Sequence, residues 1–444
     1  MRILHYSLGF PPYSRGGLTK YAVDLLQEEK RQQHQVALLW PGKISEYRNP
    51  KIKRRKDYKE IESYELENPI YLPQIYGIRE IDCFVIDGKE EPYVDFLKKW
   101  KPDVIHLHTL MGIHIQFLEA AKKLNIKMVY TSHDFFGLCP KTIMYFNQKS
   151  CKDNLECKGC DLCCKYALTP KKMRVLQSKT YRLLKNSRLV SMVRTAGKKK
   201  MFSIEEAYEE RELHSNPQYV RLRERYMEYF SLIDVIHFNS SYMKEVFSKY
   251  LDVEKGIVCN LSHSDIDNHM GQYHKKVTDD VLKITYMGPL AAYKGFNLLK
   301  DVLDEIYQDG RRDFELTIYH PLDEHREYIH VCEPYKYENL NQVLGEADVV
   351  AVPHDVSYGF IALEAISYGV PVLVSDEVGA KDLIENDITG FVFSYSHKAL
   401  KSKILELLSD KNKVENVKKN IKEQIVIKNM EVHTKEIVQK IYGA

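Results

Sequence analysis

The residues able to do chemistry in this 444-residue chain fall into four groups. The first is Glu364, about one turn inside the segment Phe360–Tyr368, which opens after Gly359. A helix starting there would aim the N–H groups of Gly359, Phe360 and Ile361 at an anion, since exposed N–H groups and the helix dipole favour phosphate. Glu364 would then reach a hydroxyl of the same ligand, while a capping or paired carboxylate is the structural alternative. The second is Lys294-Gly295, six residues after Gly288, where a surface lysine beside a turn glycine competes with a phosphate ligand. The third is a set of histidines: His106 and His108 toward the end of one apolar run, and His133 just after another. A single histidine is usually structural, but two at the ends of consecutive strands of a parallel sheet point toward a ligand cleft. The fourth is a cluster holding six of the nine cysteines within residues 139–164, including Cys157-x2-Cys160-x2-Cys163-Cys164.

Elements with the right periods surround each group. Arg2–Ser7, Gln35–Leu39, Pro102–His108, Met128–Thr131, Ile233–Phe238 and Ile257–Asn260 read as strands of one sheet. Leu18–Arg31, Val94–Trp100, Ile113–Leu124 and Ser240–Tyr250 read as the helices between them. The stretch Gly9 to Gly17 is a glycine-bearing loop between strand and helix. Gly16-Gly17 without the full G-x-G-x-x-G spacing is weak evidence for a dinucleotide, and a tight turn explains it equally well. Residues 43–70, with Lys51-Ile52-Lys53-Arg54-Arg55-Lys56, read as a solvated loop or an edge hairpin. A second alternation begins at Lys283–Met287 and continues through Asn297–Tyr307, Phe314–Tyr319, Asn339–Glu346, Val349–Val352, Phe360–Tyr368 and Val372–Ser375. Val349–Val352 and Val372–Ser375 are short continuous apolar runs, as expected of strands buried on both faces. A last strand, Gly390–Phe393, a helix Leu400–Leu408 and a charged helical tail from Val417 to Tyr442 follow. The expected fold class is α/β, with two Rossmann-like domains.

Composition narrows the function. A net charge of +3 gives no global signature of nucleic-acid binding, and no apolar run approaches a membrane span. The start, MRILHYSLGF, reads as a first strand and not as a signal peptide, which places the protein in the cytoplasm. In a reducing compartment the cysteine cluster favours metal over disulfides. Cys139, Cys151, Cys160 and Cys163 are the expected zinc set, with Cys157 as substitute; free thiols and an iron–sulfur cluster remain as alternatives. Between Lys165 and Lys200 there are twelve Lys/Arg and no Asp or Glu. Wound as one helix, Met173, Leu176, Thr180, Leu183, Leu184 and Ser187 share a face, with Lys171, Arg174, Lys179 and Arg182 opposite. That pattern suits an anionic membrane surface or an acidic partner, or a packed helix with a solvated basic face.

The run G-F-x-x-L-E-A-x-x-x-G-x-P-V at 359–372 resembles the nucleotide-sugar site of retaining glycosyltransferases of family 4, which have the GT-B architecture. The family's G-R-L-x-x-x-K-G form is met at Gly288, Lys294 and Gly295, with Pro289 in place of the arginine. The first of the family's two glutamates would fall at Val356, with Asp355 beside it. His133, in H-D-x-x-x-x-C-P, matches the histidine that contacts the transferred sugar, and Gly16 and Gly17 match the loop that approaches donor and acceptor. The resemblance implies two domains facing a cleft. Residues 1–262 would bind the acceptor, with a Cys-rich and helical insertion at about 139–230. Residues 263–280 would form a linker, 281–415 would bind the nucleotide sugar, and 416–444 would cross back to the first domain. It further implies metal-independent transfer, with retention, from a nucleotide diphosphate sugar to a saccharide acceptor. With the basic stretch, that acceptor reads as lipid-linked, in cell-surface polysaccharide or glycoconjugate synthesis, with the enzyme peripheral at the inner face of the plasma membrane. The alternatives are a catalytically impaired nucleotide-sugar-binding scaffold, motivated by Val356 and Pro289, and a transferase acting on a protein or small-molecule acceptor.

Overall fold

The structure is a computed structural model that describes residues 1–45, 49–73, 76–184, 187, 208–209, 212–270, 281–354 and 358–444. The chain divides into two compact units. The first comprises Met1–Phe238, Lys244–Cys259 and Thr434–Ala444, and the second Asn239–Met243 and Asn260–His433.

The first unit is built on an eight-stranded sheet. In chain order its strands are β1 (Arg2–Tyr6), β2 (Gln35–Pro41), β3 (Lys51–Tyr58), β4 (Ile61–Glu67), β5 (Val104–Leu107) and β6 (Lys127–Ser132). They are joined by β9 (Val235–Phe238) and β10 (Gly256–Val258), after a separate two-residue hairpin β7 (Tyr145–Phe146) and β8 (Lys149–Ser150). The order is β10-β9-β6-β5-β1-β2-β4-β3, parallel except for β3 against β4. Of the two readings of residues 43–70, the hairpin is the one formed. The basic run lies on the edge strand β3, where Lys53 and Arg55 pair with Glu67 and Glu65 of β4. A charged edge of this kind discourages pairing with other chains. The helix Gly17–Arg31 buries Tyr21, Leu25 and Leu26, as its 3.6-residue apolar spacing requires.

The second unit carries a six-stranded, wholly parallel sheet. Its strands are β11 (Leu282–Tyr286), β12 (Phe314–Ile318), β13 (Ile329–Val331), β14 (Val349–Val352), β15 (Val372–Ser375) and β16 (Phe391–Phe393), ordered β13-β12-β11-β14-β15-β16. Every residue of β14 and β15 is buried, as central strands covered on both faces must be. Short β13 was not anticipated, because His330 and Val331 are exposed and only Ile329 carries a burial signal.

Two expected helices and the expected linker come out differently. The tail is broken: Asn412–Gln424 packs Val414, Val417 and Ile421 into the second core. Met430–Glu436 and Ile437–Tyr442 follow, and Ile437, Ile441 and Tyr442 join the first core. The return to the first unit therefore comes at Thr434 and not at 416, because Ile425 has extended backbone and ends the first helix. Residues 263–270, read as linker, group with the second unit. In the insertion, the segment expected to be helical over 205–230 forms its helix at Pro217–Leu232, started by Asn216 accepting from Gln218 N–H.

Candidate active site

The chemistry of the second unit collects at the carboxyl ends of its parallel strands, where this topology places ligands. After β11 the chain passes Gly288 into a single turn, Ala292–Lys294, then Gly295 and the helix Phe296–Gln308. Gly295 has φ +77, and a Cβ there would stand 2.7 Å from Pro353 Cβ and 2.9 Å from the His354 nitrogen. Only glycine permits this approach, so the Lys294 turn is seated on the chain just past β14. His354 extends the contact, its Nδ1 donating to the Tyr293 carbonyl at 2.6 Å.

Gly359, at φ 86 and ψ 60, starts the helix Phe360–Ser367, and Ala362 N–H donates to its carbonyl at 2.9 Å. One turn in, Glu364 is buried. Tyr337 donates to its Oε1 at 3.1 Å, and His263 Nε2 lies 3.3 Å from that same atom. The Phe360 ring meets His263 edge-on at 5.1 Å. Oε2 makes no hydrogen bond among the described residues. Burial and the neighbouring Glu364 push the Tyr337 hydroxyl well above its usual range, so it remains a donor. Sequence reading missed both partners: Tyr337 opens a single turn, Tyr337–Asn339, before the helix Leu340–Gly345, and His263 follows β10 with no motif around it. Asp355 and Val356 lie outside the described residues.

In the first unit, Gly16 (φ 120) precedes the helix Gly17–Arg31. His133 directly follows β6 and is buried, and burial with His237 nearby drives its pKa down to about 3. Beside it, burial raises Asp134 to about 6, although Phe136 N–H donates to its carboxylate. His106 and His108 do not face a ligand as expected: both are fully enclosed. Register explains this. His5 of β1 lies opposite His106 of β5, and Thr131 of β6 opposite His237 of β9. His108 and His133 sit two residues beyond His106 and Thr131, on the same face. The row is closed by side-chain contacts: His108 Nδ1 to His133 Nε2 at 3.2 Å and His5 Nδ1 to His108 Nε2 at 2.9 Å. His5 Nε2 reaches Glu29 Oε2 at 2.7 Å, and His106 bridges Tyr442 (2.7 Å) and Thr131 (2.6 Å). Nitrogens of His5, His106 and His108 approach within 4.8 Å of one another, a metal-like grouping, yet hydrogen bonds occupy each ring.

The six clustered thiols are all free of disulfides. They group pairwise: Cys157 touches Cys160, and Cys163 touches Cys164. Cys139, Cys151 and Cys163 influence one another electrostatically beside Arg223, and burial raises Cys139 to about 11. A zinc tetrathiolate has Zn–S of about 2.3 Å, so its sulfurs lie within about 4.6 Å of each other. Among the described residues no three cysteine sulfurs meet that condition, so the expected set is not assembled as a four-sulfur cage.

The basic stretch is not one helix in its described part. Pro170–Leu176 and Lys179–Leu184 are separated at Gln177, which turns inward to accept from Leu72 N–H at 3.1 Å. Met173 is buried, whereas Val175 and Leu184 are exposed. Residues 185–186 and 188–207 lie outside the described part. No described helix is long and apolar enough to cross a membrane.

Two Rossmann-like α/β units with parallel sheets define a GT-B architecture, and comparison with known proteins carries the assignment further. Residues 15–153 match the model of Glycosyltransferase Family 4, and residues 272–424 that of Glycosyl transferases group 1. The chain belongs to the family 4 type of glycosyltransferase. No curated protein sequence matches it. Among solved structures it is similar to the sucrose-phosphate synthase of Thermosynechococcus elongatus (TM-score 0.55, 13% identity, 100% of this chain and 98% of that one). It is also similar to the lipopolysaccharide outer core galactosyltransferase WaaB (0.57, 12%, 100% and 99%). A third is HepE of Anabaena in complex with UDP and glucose (0.52, 14%, 100% and 99%). At these identities the structural likeness bears on the fold.

Proposed function

We propose that this glycosyltransferase moves a sugar from a nucleotide diphosphate sugar to a saccharide acceptor with retained anomeric configuration. The observation that carries the reading is Glu364, buried one turn inside a glycine-started helix at a strand end, held through Oε1 with Oε2 uncommitted. In this reading Oε2 accepts from a ribose or sugar hydroxyl. The N–H groups of Gly359, Phe360 and Ile361, with Lys294 and the chain at Gly288, hold the departing diphosphate. Donors placed where negative charge develops lower the barrier and take the part of a metal ion, so transfer is metal-independent. Asp355 covers the role of the missing first glutamate. The complex of HepE with UDP and glucose supports a nucleotide-sugar donor by analogy. In the first unit, His133 contacts the transferred sugar, and the Gly16-Gly17 loop approaches both donor and acceptor. The acceptor is a lipid-linked saccharide in surface polysaccharide synthesis, reached by peripheral attachment of the basic stretch at the cytoplasmic membrane face. A structural zinc at Cys139, Cys151, Cys160 and Cys163 would require those sulfurs to draw together, and it takes no part in transfer. Pro289 in place of an arginine favours the second reading, a nucleotide-sugar-binding scaffold with impaired catalysis.

The deciding experiment screens nucleoside diphosphates and their sugars by thermal shift, then measures nucleoside diphosphate release with acceptor. A donor that raises the melting temperature and is turned over supports the reading; one that binds without turnover selects the scaffold. Sedimentation with anionic liposomes tests the membrane element, and elemental analysis tests the zinc.

A further inference from the structure

Five close contacts run in series through the buried core of the first unit. They link Glu29 Oε1 to the Tyr442 hydroxyl (2.7 Å), Tyr442 to His106 Nδ1 (2.7 Å) and His106 Nε2 to Thr131 Oγ1 (2.6 Å). The series continues from Thr131 to His237 Nδ1 (2.8 Å) and from His237 Nε2 to the Cys259 carbonyl (2.7 Å). Each contact needs one hydrogen between its two atoms. With Glu29 as a carboxylate and both imidazoles neutral, Tyr442, His106, Thr131 and His237 bring one apiece. That is four hydrogens for five contacts.

One acquired proton closes the row. The Cys259 carbonyl can only accept, so His237 donates from Nε2, Thr131 donates to His237 Nδ1, and His106 donates from Nε2 to Thr131. The remaining two contacts are then filled in either of two ways. Tyr442 donates to a Glu29 carboxylate while His106 is an imidazolium, or a protonated Glu29 donates to Tyr442, which donates to a neutral His106. The two forms differ by a concerted shift of two protons through the Tyr442 hydroxyl, and both are net neutral. Neutrality is what enclosure demands, since Glu29, His5, His106 and His237 are all fully buried.

On its other side Glu29 Oε2 accepts from His5 Nε2, which makes His5 Nδ1 an acceptor for His108 Nε2–H. His108 Nδ1 is then the acceptor for His133 Nε2–H. We propose that the row from Glu29 to His237 is a proton-holding site, carrying one proton more than its neutral side chains bring, and that through His5 and His108 it positions His133 with Nε2 protonated and Nδ1 as the acceptor for a sugar hydroxyl. Glu29 and Tyr442 are thus positioning residues. The last clause rests on the reading of His133 as a sugar contact; the proton count does not.

Other titratable groups bear on this site from the elements around it. The helix Gly17–Arg31 brings Tyr21, its ring 5.8 Å from that of His108 and 5.0 Å from that of His133. His34 acts on Glu29 from beyond that helix, Cys259 lies past β10, and Glu436 and Lys440 come from the C-terminal segment. Burial holds the Tyr21 and Tyr442 hydroxyls well above their usual range, so neither supplies a charge.

The test compares the pH dependence of stability of the full-length wild type with that of Glu29→Gln. A carboxamide accepts from His5 through its oxygen and donates to Tyr442 through its nitrogen, filling all five contacts with no acquired proton. Above about pH 6.5 the unfolded chain releases the extra proton and the native chain keeps it. The wild-type folding constant should therefore fall tenfold more per pH unit than that of the variant as pH rises from 7 toward 9. Glu29→Met also removes the demand, because Tyr442, His106, Thr131 and His237 then supply four hydrogens for the four remaining contacts with no carboxylate left to neutralise, and it should lose the same slope. It serves if Glu29→Gln fails to fold. Equal slopes in wild type and the folded variant would overturn the proton site. For the positioning role, nitrogen resonances of selectively labelled histidines should show His133 protonated at Nε2 and bare at Nδ1; the opposite tautomer would overturn it. Neither measurement needs turnover, so a failure of the sugar-transfer reading would show separately, as absent nucleoside diphosphate release.

Discussion

At the strand ends of the first unit, polar side chains pair with one another: His5, His106, His108 and His237 are enclosed and bonded in series. At the strand ends of the second unit, Glu364 is held by Tyr337 and His263 through one oxygen and keeps the other uncommitted. Both sheets are largely parallel and offer the same kind of crevice, so topology does not set the difference. It comes from which residue types face the covering helix. Imidazoles, being both donor and acceptor, can satisfy one another in a row, whereas a carboxylate can only accept and needs donors brought to it. The first arrangement is complete without a ligand, and the second has capacity for one.

The largest expected effect follows directly from that contrast. Glu364→Ala and Lys294→Ala should each lower turnover by about 10²-fold or more, the size expected when a donor or positioning group is removed from a preorganised site. Both should retain the wild-type melting temperature within a few degrees. Full activity in either would dissolve the contrast between a closed and an open site, and nucleoside diphosphate release is the assay.

Acid should separate the two units next. Burial lowers the pKa of His133 to about 3 and those of His237 and His114 to about 4. Their folded values lie below the unfolded value near 6.5, so the stability they contribute is fully present above about pH 6.5 and is lost as pH falls toward 4. Each histidine adds a slope of up to about 1.4 kcal/mol per pH unit. Hydrogen exchange followed from pH 7 to 4.5 should show amides of β1, β5, β6 and β9 losing protection before those of β11, β14 and β15. The reverse order would contradict the assignment of buried neutral histidines.

A smaller loss is expected at the seat of Lys294. Gly295→Ala imposes a left-handed conformation on a residue with a Cβ and presses it against Pro353 and His354. It should cost about 1–3 kcal/mol, measured by denaturant unfolding, and weaken nucleotide binding as the Lys294 turn lifts. Smallest is Tyr337→Phe, which removes one hydrogen bond to Glu364 and leaves His263 in place. A loss of about 1–2 kcal/mol in kcat/KM, roughly tenfold, is expected. If Tyr337→Phe were as damaging as Glu364→Ala, Tyr337 would be acting on substrate and not only on Glu364.

The alternation of short apolar runs with amphipathic segments was enough to recover the doubly repeated α/β plan, because continuous runs such as Val349–Val352 suit only a strand covered on both faces. Gly359 and Gly295 were legible too as turns that start helices, since such positions restrict the residue type at a fixed short spacing. What stayed hidden was whatever depends on distant segments meeting. His263 and Tyr337 reach Glu364 from 101 and 27 residues away in the chain, and neither stands in a periodic pattern. His106 and His108 looked like ligand groups because their partners lie elsewhere in the chain: His106 bonds Tyr442 of the last turn and Thr131 of β6, and His108 bonds His5 of β1 and His133. Local sequence reports the backbone each residue prefers, and that determined the elements and their order. Which side chains satisfy one another inside is decided by register and by the helix laid over the sheet, and only the tertiary structure contains that.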